Sequence, residues 1–160
     1  MKNIFGPAVL LLVGLITVCS AQAVAASQTP AVEIDVRKTL ERFSELSSRG
    51  DVQLFLAQFD PEADIMMVGS ASTEVFRGRA ALEPWLTQVF SEVRISFQMD
   101  RVDINSNGET AWAFAEGLET VRDLAGKLVS VKPYRFSAVL VKKGDVWMWR
   151  LFHGSVPEKE

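Results

Sequence analysis

Val93-Arg94-Ile95-Ser96-Phe97-Gln98-Met99 alternates apolar and polar side chains without a break. A two-residue period places Val93, Ile95, Phe97 and Met99 on one face, the mark of a half-buried β-strand. Beyond Asp100-Arg101 the apolar positions are Val102 and Ile104, out of phase with Met99. A phase flip within one strand predicts a bulge at Asp100-Arg101. Toward the C-terminus the pattern repeats. Asn105-Ser106-Asn107-Gly108 is a hairpin turn, with Asn-Gly the strongest short-range signal for one. Thr110 to Arg122 is the next strand, and Leu124-Ala125-Gly126 its turn. Leu128 to Lys142 follows, with Pro133 predicting a bulge or bend because it cannot donate to a ladder. Lys143-Gly144-Asp145 then turns into a last strand, Val146 to Ser155.

The period changes on the N-terminal side. Val32, Val36, Leu40 and Phe43 recur every three or four residues, one face of a helix that Gly50 ends. Asp51 is placed to cap a second helix carrying Val52, Phe55, Leu56 and Phe59, which Pro61 stops. Ile65 to Val68 and Glu74 to Arg77 are short strands. Leu82, Trp85, Leu86 and Val89 then mark a third helix, with Pro84 in its first turn, so that it begins near Ala81. Helices gathered in one half and long strands in the other predict an α+β domain, with three helices on one face of a curved antiparallel sheet.

Composition bounds the function. The 160 residues carry 17 Lys and Arg against 20 Asp and Glu, a net charge of −3. A pI near 5.3 argues against nucleic acid as a partner, because phosphate contacts need clustered cations. One Cys and one His exclude disulfide frameworks, zinc fingers and multi-histidine metal sites, so no metal or cofactor is expected. The N-terminus reads as a targeting segment. Lys2 precedes an apolar run from Ile4 to Val18, followed by Ala21-Gln22-Ala23 and Ala23-Val24-Ala25, which carry the small residues a signal peptidase reads. The run is shorter than the ~20 residues that span a bilayer. Residues 1–25 are therefore expected to be a signal peptide, and 26–160 a single periplasmic or secreted domain. The chain would contact a membrane only if that segment stayed uncleaved. Cleavage would remove Cys19, and without thiols the domain would rest on its core alone.

The order of elements, with particular residues in place, resembles the SnoaL-like branch of the nuclear transport factor 2-like superfamily. The matching points are Gly50-Asp51, Asp64, Gly78-Arg79, Ala111-Trp112 and, most specific, Trp147 through His153-Gly154-Ser155-Val156-Pro157. The last stretch is also similar to the association domain of calcium/calmodulin-dependent kinase. The resemblance implies a cone-shaped α+β barrel with a pocket between sheet and helices, in a homodimer. A second apolar row in the last strand, Val146, Met148 and Phe152, fits a dimer packed through the outer sheet face. The resemblance does not fix an activity, since the superfamily holds isomerases, cyclases, dehydratases, hydrolases and non-catalytic domains. The ketosteroid-isomerase branch has a tyrosine where this chain has Phe43, and carboxylates where it has Met66-Met67-Val68 and Tyr134-Arg135-Phe136. That route of proton abstraction lacks its base and its donor here.

Period two puts Glu116 in line with Trp112, Phe114 and Leu118, and His153 in line with Trp147, Trp149, Leu151 and Ser155. If both rows face the pocket, as the resemblance implies, Glu116 and His153 would be an acid and a base amid aromatic bulk, with Arg135 as charge partner. Trp112, Phe114, Tyr134, Trp149, Phe43 and Met67 would line the ligand site. The opposite phase packs Ala111, Ala113, Ala115 and Gly117 against the helices and leaves Glu116 in water. Three functions stay open: an exported domain binding a small, partly apolar molecule; a cofactor-free acid–base enzyme using Glu116, His153 and Arg135; and a non-catalytic structural or assembly domain.

Overall fold

The computed structural model describes residues 22–62 and 64–158. Two helices, α1 (Gln22–Arg49) and α2 (Val52–Leu56), are followed by the short strands β1 (Met66–Val68) and β2 (Val75–Arg77), then by a third helix, α3 (Arg79–Glu92), and by four long strands. These are β3 (Val93–Ser106), β4 (Thr110–Asp123), β5 (Leu128–Lys143) and β6 (Val146–Ser155). They form one six-stranded sheet in the order β2-β1-β6-β5-β4-β3. All neighbours are antiparallel except β1 and β6. The sheet is curved but not closed, and the helices cover its inner face. The α+β arrangement is the one the sequence predicts, as an open cone rather than a sealed barrel.

Most of the targeting segment lies outside the described residues. The first helix begins at Gln22 and runs through Ser27 to Pro30, ahead of the Val32 where its apolar periodicity starts. Val36, Leu40, Phe43 and Leu46 are its buried stripe. Gly50, at φ 70°, ends it by donating its N–H to the Leu46 carbonyl at 3.1 Å. Asp51 caps α2 by accepting from the Leu54 N–H at 2.9 Å. That helix stops at Leu56, before the Phe59 its periodicity includes. The chain is recruited elsewhere: the Trp149 N–H donates to the Gln58 carbonyl at 2.9 Å, and the Asp60 N–H to the Trp149 carbonyl at 3.0 Å. At the other end, α3 begins at Arg79 rather than Ala81, with the Arg79 guanidinium tied to the Phe59 carbonyl.

Two bulges decide which side chains face inward. The bulge in β3 lies where the phase flip puts it, between Met99 and Arg101. Pro133 makes no bulge. It pairs in register with Leu118 and lies beyond the end of β6, which reaches only to Arg135 opposite Ser155. A proline is tolerated on such an open edge. A second bulge is in β6. Val139 pairs with Leu151 and Leu140 with Trp149, which leaves Arg150 unpaired. The bulge turns Phe152 to the same face as Trp149.

Arg150 is thereby aimed at Asp60, whose side chain has no exposed area. Asp60 accepts from Arg150 Nε at 2.8 Å and from the Glu62 N–H at 2.9 Å. These contacts hold its carboxyl below the ordinary 3.8, chiefly through the Glu62 N–H, against the opposing effect of burial and with help from Arg150 and Lys143. A carboxylate with a lowered folded pKa stabilises the fold above its unfolded pKa and loses that contribution as pH falls through the folded value. Asp60→Asn is therefore expected to unfold at lower temperature than the parent at pH 7. The gap should narrow steadily once the pH drops below 3.8. Melting curves between neutral pH and the acid limit would read it, and a gap that is constant with pH would contradict this role.

Candidate functional site

The inner face is built from alternating positions that meet across the sheet. On β4 the inward row is Ala111, Ala113, Ala115 and Gly117, continuing to Glu119. Such small side chains leave room for large ones from the neighbours: Phe97 on β3, Tyr134 and Phe136 on β5, and Trp149 and Phe152 on β6. Phe43 of α1 drops into this cluster, with ring centroids 4.7 Å from Phe55, 4.5 Å from Trp149 and 5.0 Å from Phe152. Buried aromatic contacts of this kind add to plain area burial.

Toward the β3–β4–β5 end the packing opens into a cavity of about 160 Å³ between α1, α3, the sheet and the segment after β1. Its deep wall is apolar and aromatic, including Phe43, Phe55, Met67, Phe97 and Phe152. Its polar lining is Ser47, Ser70, Glu74, Glu119, Lys132 and Tyr134. Register brings the three sheet residues among them together. Phe97, Glu119 and Lys132 sit opposite one another across β3, β4 and β5, one step from Gly117 and Tyr134. Lys132 Nζ is 3.0 Å from Glu119 Oε1, and the Glu119 side chain is only 10% exposed. A buried carboxylate needs such a partner. Glu74 folds back over Gly69, its Oε2 accepting from the Ala71 N–H at 3.0 Å.

Tyr134 is the central polar group. Its ring lies 5.3 Å from that of Phe97. Its hydroxyl rests on Gly154, where a Cβ would come within 1.8 Å of the oxygen. Burial pushes the phenol well above the ordinary 10.0, and the negative charges of Glu119 and Glu74 push it further, partly offset by a hydrogen bond with Ser70. Tyr134 therefore stays neutral and can donate or accept a hydrogen bond, but it does not serve as a base.

The residues singled out from sequence divide between the two faces. Phe43, Met67 and Tyr134 line the cavity. Trp149 is fully buried in the aromatic cluster behind it. Trp112, Phe114, Glu116, Arg135 and His153 are on the outer face, away from the cavity, which corrects the inward reading of the Glu116 row and of the His153 end of the β6 row. Trp112 is 46% exposed. Glu116 is half-exposed, 3.6 Å from Arg101. Arg135 donates to the Ser155 hydroxyl at 3.2 Å, and the exposed His153 pairs opposite Ser137. Two physical causes account for this. On β4 the small side chains rather than the bulky ones face the helices. On β6 the bulge at Arg150 breaks the period that links Trp149 to His153. Glu116 and Arg135 are cross-strand neighbours, but the outer face encloses no site around them. Glu119 and Lys132 were missed. Each extends an inward row with a charged residue, Glu119 after Ala111–Gly117 and Lys132 before Tyr134, Phe136, Ala138 and Leu140. A lone charge in phase with buried neighbours is the signal that finds them. Among the described residues, no three His, Cys, Asp or Glu side chains converge to hold a metal ion.

Comparison with known proteins places this geometry. A SnoaL-like domain model matches residues 36–159. Among solved structures, a Streptomyces avermitilis protein provisionally named a dehydratase of the NTF2-like family is similar, with a TM-score of 0.69 at 20% identity, covering 82% of this chain and all of its own. An NTF2-like superfamily protein from Salmonella enterica gives 0.69 at 18% identity, covering 81% of this chain and 94% of its own. An NTF2-like protein with a cystatin-like fold from Novosphingobium aromaticivorans gives 0.66 at 14%, with coverages of 89% and 94%. At these identities the likeness is one of fold. No curated protein sequence matches the chain.

Proposed function

We propose that this chain, which belongs to the SnoaL-like domain family, is an exported binding domain that holds a compact, largely apolar small molecule in the cavity beside Phe43, Met67 and Tyr134. The observation that carries this reading is the cavity itself. Its size of about 160 Å³ is near that of an engineered protein cavity that admits benzene (about 150 Å³). Apolar walls with a few convergent polar groups are what small-molecule sites present. Tyr134 and Ser70 supply neutral hydrogen bonds at the mouth, and the buried aromatic wall supplies the rest.

The acid–base alternative loses its enclosure, since Glu116, His153 and Arg135 lie on the outer face. That face instead supports a homodimer. Trp112, at 46% exposure, stands beside Phe114 on its own strand and in register with Val139 and Leu151, with the Glu116–Arg135 pair next along the sheet. A second copy would cover it, in place of the Val146, Met148 and Phe152 row, because Phe152 faces inward. Export follows from the Lys2, apolar run and Ala-x-Ala succession.

One measurement reads all three proposals. Native mass spectrometry of protein taken from the native cell envelope or medium should give a chain shortened by about 25 residues, paired with a second copy, with an added small-molecule mass. A full-length chain would reject cleavage, and a single-chain mass at micromolar concentration would reject the dimer. A mass with no adduct, together with no uptake of any aromatic probe, would reject the binding function.

A further inference from the structure

We infer that the cavity is selective by charge, taking a compact aromatic amine in its protonated form in preference to a neutral analogue and excluding the matching carboxylate. This deepens the binding reading above and rests on it. Three ionic side chains line the cavity: Glu74, Glu119 and Lys132. Lys132 is committed to Glu119 at 3.0 Å, so the cation on the wall is already neutralised. Glu74 has no cationic partner among the described residues and receives only the Ala71 N–H at 3.0 Å. The three together leave one uncompensated negative charge at the mouth. The raised pKa of Tyr134 points the same way, since Glu119 and Glu74 both contribute to it.

The rest of the wall favours the same sign. Aromatic faces carry a negative quadrupole, and an ammonium close to one is attracted, more so when water is excluded. Phe97 and Trp85 lie on the wall with Glu74 and Glu119, and Lys132 already sits 5.9 Å from the centroid of the Tyr134 ring. A ligand with its ring in the apolar interior and its ammonium toward Glu74 would satisfy both parts. An anion would meet Glu74 and Glu119 while Lys132, the cation lining the cavity among the described residues, is already paired with Glu119, and like charges brought together at a partly desolvated site are strongly disfavoured.

The test is a set of three probes of similar size, benzylamine, benzyl alcohol and benzoate, titrated at neutral pH and followed by the backbone amide shifts of Met67, Glu119 and Tyr134. Benzylamine should bind at least about tenfold more tightly than benzoate, with benzyl alcohol between them. Raising the salt should shrink the advantage of benzylamine over benzyl alcohol, because the pairing at the mouth is partly exposed. Glu74→Gln should lower the ratio of benzylamine to benzyl alcohol affinity. If benzyl alcohol binds and benzoate binds as well as benzylamine, or if Glu74→Gln leaves that ratio where it was, the charge selectivity is wrong while the cavity reading stands. If none of the three shifts these amides, the cavity reading fails and the selectivity fails with it.

Discussion

Trp149→Ala should cost about 3–5 kcal/mol of stability, the range for emptying a fully buried large aromatic site. Trp149 has no exposed surface. Its ring lies 4.5 Å from Phe43, 6.0 Å from Phe152, 6.2 Å from Phe136 and 6.4 Å from Phe59, so it joins α1, two strands and the segment after α2. Its backbone also holds that segment, through the Gln58 carbonyl and the Asp60 N–H. The side chain is thus the point where the helical layer and the bulged strand are keyed together, and neighbours fixed on every side cannot collapse into the void. A fall in melting temperature on the order of 10 °C is expected for a domain of this size. A change within about 2 °C would mean that the site relaxes freely and that the two layers are not keyed together through Trp149.

Gly154→Ala should destabilise the fold and the cavity wall together. The added Cβ would meet the Tyr134 hydroxyl at 1.8 Å, its Cζ at 2.6 Å and Phe152 Cε1 at 3.0 Å. The backbone there is ordinary strand, so the cost is steric. Overpacking of a filled site costs roughly 1–3 kcal/mol, and Tyr134 must swing toward the cavity or the strands must part. Loss of ligand binding should accompany the loss of stability, since Tyr134 is on the cavity wall. Tyr134→Phe in the same chain removes the closest contact but not the Cζ, so the pair should recover part of the lost stability. That coupling is measurable in a double-mutant cycle, and strictly additive effects would show that the two groups do not meet.

The fold was legible because its signals are local and repeated. Strict alternation from Val93 to Met99, the phase flip at Asp100-Arg101 and the Asn107-Gly108 turn each report a backbone event at their own position. Gly50 and Asp51 likewise mark a helix end and a helix start by their own chemistry. The site was less legible because facing is a tertiary choice. Trp112, Phe114 and Glu116 form as regular a row as Ala111, Ala113, Ala115 and Gly117, and period two cannot say which of them meets the helices. Volume decides it: the space over β4 is filled by Phe43, Phe97 and Phe136 from other elements. The bulge at Arg150 was hidden for a related reason. Its cause is a partner 90 residues away in sequence, the Asp60 carboxylate that accepts from Arg150, and nothing in the residues from Trp147 to His153 reports it.

Entry of small molecules into the cavity beside Tyr134 is tested most directly by titrating isotope-labelled protein with benzyl alcohol and mapping the backbone amides that shift. Saturable shifts are predicted at Met67, Val89, Glu119 and Tyr134. In Val89→Phe, where an added ring would occupy the space, they should be lost while the fold is retained. Shifts confined to the outer face around Trp112, Glu116 and His153, or no saturable shifts at all, would contradict the account.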